Sequence, residues 1–318
     1  MSAEKRKTGI TAALFSAVFL GVVPIFGKLA FGLGFSPMSV IAIRTTVAAL
    51  LTLVLMLVNM RQLLYIYPVG LIGCLLAGAI NGVGSILYYT ALSRLDAGVA
   101  HMLYSFYPIF VALWLLLDRQ VLTRLTIIRL LLTLPAIALL ILPGGKGIYF
   151  WGALMMVGSA VLYALHMIIN QRILYEAPAQ TVTLYTLIAM AVTVDLGFLI
   201  SPGAMPSFSL TAWWPVLAMA LITFLSRLAL FVGIKNLGGL QTALLGLAEL
   251  LVTVILSQVW LGEHLMPLQW LGAALLSINL ILVGFDQITP QKRSKTGWLA
   301  WLNPPKINPS DIPWNSQP

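Results

Sequence analysis

Uninterrupted apolar runs recur along nearly the whole chain, over about residues 9–31, 38–59, 68–91, 97–117 and 122–142, and again over 149–170, 181–200, 213–234, 240–261 and 267–285. Each run of about 20 residues, wound as a helix, is long enough to cross a hydrocarbon core about 30 Å thick. None shows the apolar and polar alternation of a barrel strand, and each is about twice a barrel strand's length. The connections are short and carry breakers, such as Gly32, Gly34 and Pro37, or Pro143, Gly144 and Gly145. The pattern predicts an all-α membrane protein with ten transmembrane helices. The first run follows Lys5, Arg6 and Lys7 but continues for about 20 residues to Lys28, longer than the roughly 7–15 apolar residues of a signal peptide core, and is read as a retained span.

The two groups of five runs align with each other. Gly9 to Phe26, with Ser16 and Ala17, falls on Gly152 to Ile169, with Ser159 and Ala160; Ala91-Leu92-Ser93-Arg94-Leu95 falls on Gly233-Ile234-Lys235-Asn236-Leu237. A single separation of about 140 residues serves both ends. The expected organisation is a short N-terminus (1–8), a first five-helix repeat (9–142), a second (149–285) and a C-terminal tail (286–318). Five is odd, so the second repeat should insert upside down relative to the first. Inverted repeats place a substrate site near the midplane between the halves and support alternating access.

Composition sharpens this picture: 60% of the 318 residues are hydrophobic and 8% are charged, against about 25% charged in soluble domains, which excludes a water-soluble fold. The net charge of +9 would suggest nucleic acid as a partner in a soluble protein. Here it is a topology signal, and nucleic acid is not expected. With the N-terminus in the cytoplasm, thirteen of the 18 basic residues lie in or near that side: Lys5, Arg6, Lys7, Arg61, Arg119, Arg124, Arg129, Arg172, Lys235, Lys292, Arg293, Lys295 and Lys306. Only Arg94 and Lys146 lie outside, while Lys28, Arg44 and Arg227 fall within spans. The positive-inside rule then places both termini in the cytoplasm, with the plasma (inner) membrane as the expected location. The single cysteine, Cys74, permits no intrachain disulfide and no cysteine metal site.

Some motifs are more specific. Tyr89, Ala91, Leu92, Ala97, Ala100 and Tyr107-Pro108-Ile109-Phe110 have a second-half counterpart in Ala248-Glu249, Trp260-Leu261-Gly262-Glu263 and Trp270-Leu271-Gly272-Ala273-Ala274. In order, spacing and duplication this set resembles the drug/metabolite transporter superfamily, EamA-like branch, over about residues 9–285. The resemblance implies a ten-helix secondary transporter that exports or exchanges small organic metabolites such as amino acids. It also implies an arginine at the position of Arg44. Two departures stand out: Leu250 replaces a proline often found after the glutamate, and Asp118-Arg119 comes about three residues early where a Gly-Glu pair is usual.

An ionised group near the centre of a span costs about 2.5–3.5 kcal/mol on insertion scales, so each needs a partner or an aqueous cavity. Glu249 lies near the middle of span nine. Arg227, about ten residues before the preceding turn, should meet it at similar depth, as a structural ion pair or as a substrate or proton site. Their repeat counterparts, Ser85 and Tyr107, are uncharged, so the duplicated scaffold does not require these charges. Arg44 would be a fixed counter-charge, because a guanidinium does not release its proton, or a packing group. His166 and Asn170 share one helix face and read first as packing groups. Asn81, flanked by Gly78 and Gly82, marks a close helix contact or backbone exposed beside a cavity.

Tyr104 and Tyr107 are candidate cavity walls, while Tyr88, Tyr89, Trp298 and Trp301 read as interface anchors. His101 and Asp195 fall near the outer boundary, and Lys28, Arg124 and Arg129 read as snorkelling to the interface. Pro24 and Pro108 are candidate helix breaks. Gly144-Gly145-Lys146-Gly147 lacks the spacing and the Ser or Thr of a phosphate-binding loop, and neither a zinc motif nor a nucleophile elbow is present. The expectation is a non-enzymatic transporter without a cofactor, driven by an ion gradient or by exchange. Its partners are a small-molecule substrate, membrane lipid and a coupling ion such as the proton. A channel or a non-transporting membrane scaffold is the alternative.

Overall fold

The computed structural model describes residues 3–120, 122–141, 149–262, 266–282 and 297–302. The expectations for Pro143, Gly144, Gly145, Lys146, Glu263, Lys292, Arg293, Lys295 and Lys306 lie outside the described residues. The fold is all helical among the described residues: α1 (Ala3–Gly32), α2 (Pro37–Asn59), α3 (Pro68–Leu92), α4 (Ala97–Tyr104), α5 (Tyr107–Leu117), α6 (Arg124–Ile141), α7 (Phe150–Leu174), α8 (Ala179–Ile200), α9 (Leu210–Leu237), α10 (Gly239–Gly246), α11 (Ala248–Leu261) and α12 (Pro267–Ile281). Eight spans are long and apolar enough to cross a membrane, with α4–α5 forming one and α10–α11 another. Helices α6 and α12 occupy the two remaining predicted spans. Leucine and valine side chains such as Leu50, Val54 and Leu131 cover the outside of the bundle, the arrangement of an integral membrane protein.

The halves pack through each other rather than side by side. Helix α1 lies against α9 and α11; correspondingly, α7 lies against α3 and α5, while α2 pairs with α8 and α6 with α12. Exchanging the two halves maps this set of contacts onto itself. Close approach of α3 to α8 depends on missing side chains: a Cβ at Gly78 would come within 2.4 Å of the Thr186 carbonyl, and one at Gly82 within 2.8 Å of Thr193. The packing reading of this glycine pair is the one seen.

Two spans are broken at their middles, at corresponding places. The first break, at Ser105-Phe106, follows from Pro108, which has no N–H to give to the Tyr104 carbonyl and whose ring would collide with it. The second, at Leu247, has Leu250 in the place of that proline, yet the helix still breaks. The Leu250 N–H bonds three residues back to the Leu247 carbonyl at 3.2 Å. Pro24, by contrast, sits inside an unbroken α1. Both second halves leave through a left-handed residue, Arg119 (φ 59°) and Gly262 (φ 68°). Glycine adopts this conformation freely, whereas an L side chain there costs roughly 1–2 kcal/mol.

The end of the bundle that receives residues 297–302 (the tail end) is tied by polar groups. Asp118 at the end of α5 makes a buried ion pair with Arg172 at the end of α7 and accepts the Leu299 N–H at 3.4 Å. Leu299 and Leu302 are buried, while Trp298 rests on Trp114 with ring centroids 5.8 Å apart. Arg129 does not snorkel. It is fully buried, donating to Gln241 Oε1 (2.7 Å) and Asn279 Oδ1 (3.2 Å), and Asn279 in turn donates to the Arg129 carbonyl (2.7 Å). A snorkelling side chain needs a path to water, and α10 and α12 close that path. Arg124, one turn nearer the end, is exposed.

Candidate functional site

The two broken spans leave polar groups of both halves around one cavity. Its volume is about 50 Å³, measured for the centre of a water molecule; roughly 10–15 Å³ by that measure holds one water, so a few fit. Walls come from α1, α2, α3 and α4 of the first half and α7, α9 and α11 of the second.

Glu249 stands in the first turn of α11. The break at Leu247 gives this carboxylate a helix N-terminus within the span, where unpaired N–H groups and the helix dipole favour negative charge. Its Oε2 lies 3.6 Å from His101 Nε2, and His101 Nδ1 is 3.3 Å from the Tyr88 hydroxyl. All three side chains are buried. At 3.6 Å the His–Glu contact is electrostatic, longer than a hydrogen bond. Of the two readings of Arg227 and Glu249, the direct ion pair is not formed; both groups line the cavity. Counting residues from the α9–α10 turn assumes a continuous hairpin, whereas the second helix of that hairpin is broken at Leu247. Arg227 instead lies over the Tyr163 ring (5.5 Å to the centroid), with Nη1 3.4 Å from His166 Nε2. Arg44 lies over the Tyr89 ring at 4.9 Å. The Nε atoms of Arg44 and Arg227 are buried without hydrogen-bond partners. One carboxylate thus faces two guanidinium groups with unspent donors, an arrangement suited to an anionic group.

Tyr104 lines the cavity, and its ring meets Tyr88 (5.0 Å), Tyr107 (5.5 Å) and Tyr163 (5.4 Å), forming an aromatic floor. Tyr107 lies beneath the wall rather than in it. Its hydroxyl donates to the Ala243 carbonyl at 3.1 Å, bridging the two breaks, and a Cβ on Gly246 would come within 1.8 Å of that oxygen. Asn81 lines the cavity and points its amide at Met190 Sδ (3.1 Å). His166 and Asn170 lie outside it. His166 Nδ1 meets the Ala77 carbonyl (3.0 Å), Asn170 donates to the His166 carbonyl (2.9 Å) and Thr186 donates to Asn170 Oδ1 (3.2 Å). These bonds knit α3, α7 and α8, with His166 also backing Arg227. Asp195 accepts from Thr46 at 2.8 Å, joining α2 to α8.

His101, Tyr88, Tyr89, Ser85, Ser159 and Tyr163 also line the cavity. Tyr88 and Tyr89 are buried, not interface anchors, because α1 and α2 pack over the end of α3. Tyr163 carried an unused signal: Ser159, Tyr163, His166 and Asn170 recur at four, three and four residues, one polar stripe along α7. Among the described residues no three His, Cys, Asp or Glu side chains gather as a metal site would.

Known proteins share this architecture. The profile of the EamA-like transporter family matches residues 7–142 and 150–285. A relative named "Uncharacterized transporter sll1319", from Synechocystis sp. (strain PCC 6803), is 26% identical over 220 residues, 64% of this chain and 64% of its own length. A solved structure described as "Crystal structure of protein" superposes with a TM-score of 0.68 at 16% identity, over 87% of this chain and 96% of that one, which is a likeness of fold alone. The family profile covers both halves, each with its broken span beside the shared cavity, and the chain belongs to the EamA-like transporter family.

Proposed function

We propose that this membrane transporter is a secondary active exporter or exchanger of small organic metabolites, amino acids among them, working by alternating access between two inverted five-helix repeats. In this reading ten spans cross the plasma membrane, with both termini in the cytoplasm. The observation that carries it is the pairing of His101 with Glu249 in a cavity that also holds Arg44 and Arg227, each group supplied by a different helix and the four shared between the halves. A substrate's anionic group would take the unspent arginine donors, and a proton or cationic group would go to Glu249. Tyr104 and Tyr163 offer ring faces to the remainder. The packing of α1 on α9 and α11, matched by that of α7 on α3 and α5, supports two equivalent arrangements reached by exchanging the roles of the halves.

Proteoliposomes loaded with single metabolites test the reading. Saturable counterflow is expected from the parent, with Glu249→Gln slower and its remaining flux less dependent on pH. Equal flux by the two proteins at every pH would remove Glu249 from the mechanism. Absence of saturable counterflow across a panel of amino acids, sugars, nucleosides and polyamines would point to a channel or a scaffold instead.

A further inference from the structure

The face of α5 turned toward α6 carries Ile109, Leu113 and Leu116 at the spacing of one helical stripe, and α6 presents Ile127, Leu131 and Leu134 opposite. These stripes do not close on one another. A groove of about 750 Å³ separates them, although the helices are consecutive in the chain. Leu113, Leu116 and Leu131 are more than half exposed, so the groove opens on the outside of the bundle, away from the transport cavity. Within a bilayer, the medium that reaches such a groove is lipid hydrocarbon.

The groove is polar at one end only, where Arg119 and Gln120 line it at the tail end of the bundle. Arg119 is exposed, and its guanidinium makes no hydrogen bond or ion pair among the described residues. It also occupies a backbone position that disfavours it. The second repeat ends its broken span with Gly262 in the same left-handed conformation, unstrained, whereas the first repeat holds an arginine there at φ 59°. The turn needs no side chain, since Gly262 makes the corresponding turn without one. Arg124, also exposed, begins α6 at the same end. By the bias of basic residues this end faces the cytoplasmic leaflet, where anionic lipids concentrate and basic pockets between helices hold their headgroups.

We infer that the α5–α6 groove is a binding site for a diacyl phospholipid with an anionic headgroup, its acyl chain lying between the two leucine stripes and its phosphate on Arg119. The site stands apart from the transport cavity; it rests on the proposed orientation of the tail end toward the cytoplasm and not on the transport cycle. Native mass spectrometry of the full-length protein, delipidated in detergent and titrated with dioleoyl phosphatidylglycerol, dioleoyl phosphatidylcholine or inorganic phosphate, tests it. The parent should retain one phosphatidylglycerol with a preference of about fivefold over phosphatidylcholine: both present a phosphodiester, but the choline ammonium cancels the net charge that one basic residue attracts by about 1 kcal/mol. Arg119→Gly relaxes the turn, so it should bring the two lipids to parity without lowering the melting temperature of the lipid-free protein. Leu131→Trp fills the groove and should reduce retention of both lipids. Equal retention of phosphatidylglycerol by the parent and Arg119→Gly, or equal retention of the two lipids by the parent, would overturn the assignment. So would displacement of phosphatidylglycerol by millimolar inorganic phosphate, which would mark a site for free anions.

Discussion

His101 Nε2 and Glu249 Oε2 lie 3.6 Å apart inside the bundle, one on the half-helix before the first break and the other on the half-helix after the second. In the proposed transport cycle, an ionisable pair that links the two broken spans would tie protonation to the relative position of the two repeats. Removing one member should therefore do most of the damage that removing both does. Glu249→Gln and His101→Gln are each expected to lower saturable flux in proteoliposomes by about tenfold or more, and the double variant by little further, since contacting residues couple by about 0.5–3 kcal/mol. Losses that multiply would mean that the two residues act separately.

A close fit lies beside the second break. Tyr107 reaches from α5 to the Ala243 carbonyl through space that Gly246 leaves open, and a methyl at residue 246 would meet the phenol oxygen at 1.8 Å. Gly246→Ala is expected to destabilise the protein by about 1–3 kcal/mol, as overpacking of a core does. Tyr107→Phe removes the colliding oxygen at the cost of one hydrogen bond, about 0.5–1.5 kcal/mol. The double variant should then melt above Gly246→Ala alone in a thermal-shift measurement. A double variant that is worse than both single ones would show that the clash is elsewhere.

Apolar run length was enough to place the eight helices that are long and apolar enough to cross a membrane, because a bilayer imposes a minimum length that no soluble helix must meet. Pro108 made the first break legible from its missing N–H. The second was hidden, since Leu250 is chemically unremarkable and the contact beside the break joins Tyr107 to Gly246, 139 residues apart in sequence. The partner of His101 was hidden for a different reason: Glu249, which it meets, lies 148 residues away in sequence. Arg129 read as an interfacial cation for a related reason: nothing local announces that Gln241 and Asn279, more than 100 residues away, will enclose it.

Arg44 and Arg227 both lie over tyrosine rings at 4.9 and 5.5 Å, to Tyr89 and Tyr163 respectively. A planar guanidinium can stack there while aiming its donors at the cavity, whereas an ammonium keeps the charge and loses the fork. Arg44→Lys and Arg227→Lys are accordingly expected to raise the KM for an anionic substrate by about tenfold, the order of one charged hydrogen bond, with little change in melting temperature. Zero-trans uptake at varied substrate concentration reads this directly. An unchanged KM in both lysine variants would leave the arginines as packing groups only.

The buried Arg129 offers a stability test that is independent of substrate. Its guanidinium is held by Gln241 and Asn279, and Asn279 also donates to the Arg129 carbonyl and, at 2.8 Å, to Thr133 Oγ1. Removing one partner of a buried polar arrangement leaves the groups it satisfied desolvated without compensation, which typically costs about 1–3 kcal/mol. Asn279→Leu should thus lower the melting temperature in detergent markedly. Arg129→Met combined with Asn279→Leu replaces both partners by apolar groups of similar bulk and should recover much of that loss, since well-packed replacements of buried ionic groups are often neutral or better. The comparison is informative in either direction. If the double variant is less stable than Asn279→Leu alone, then the other bonds of Arg129, the one to Gln241 on α10 among them, are what hold α6 in place, and the α6–α12 contact is secondary to them.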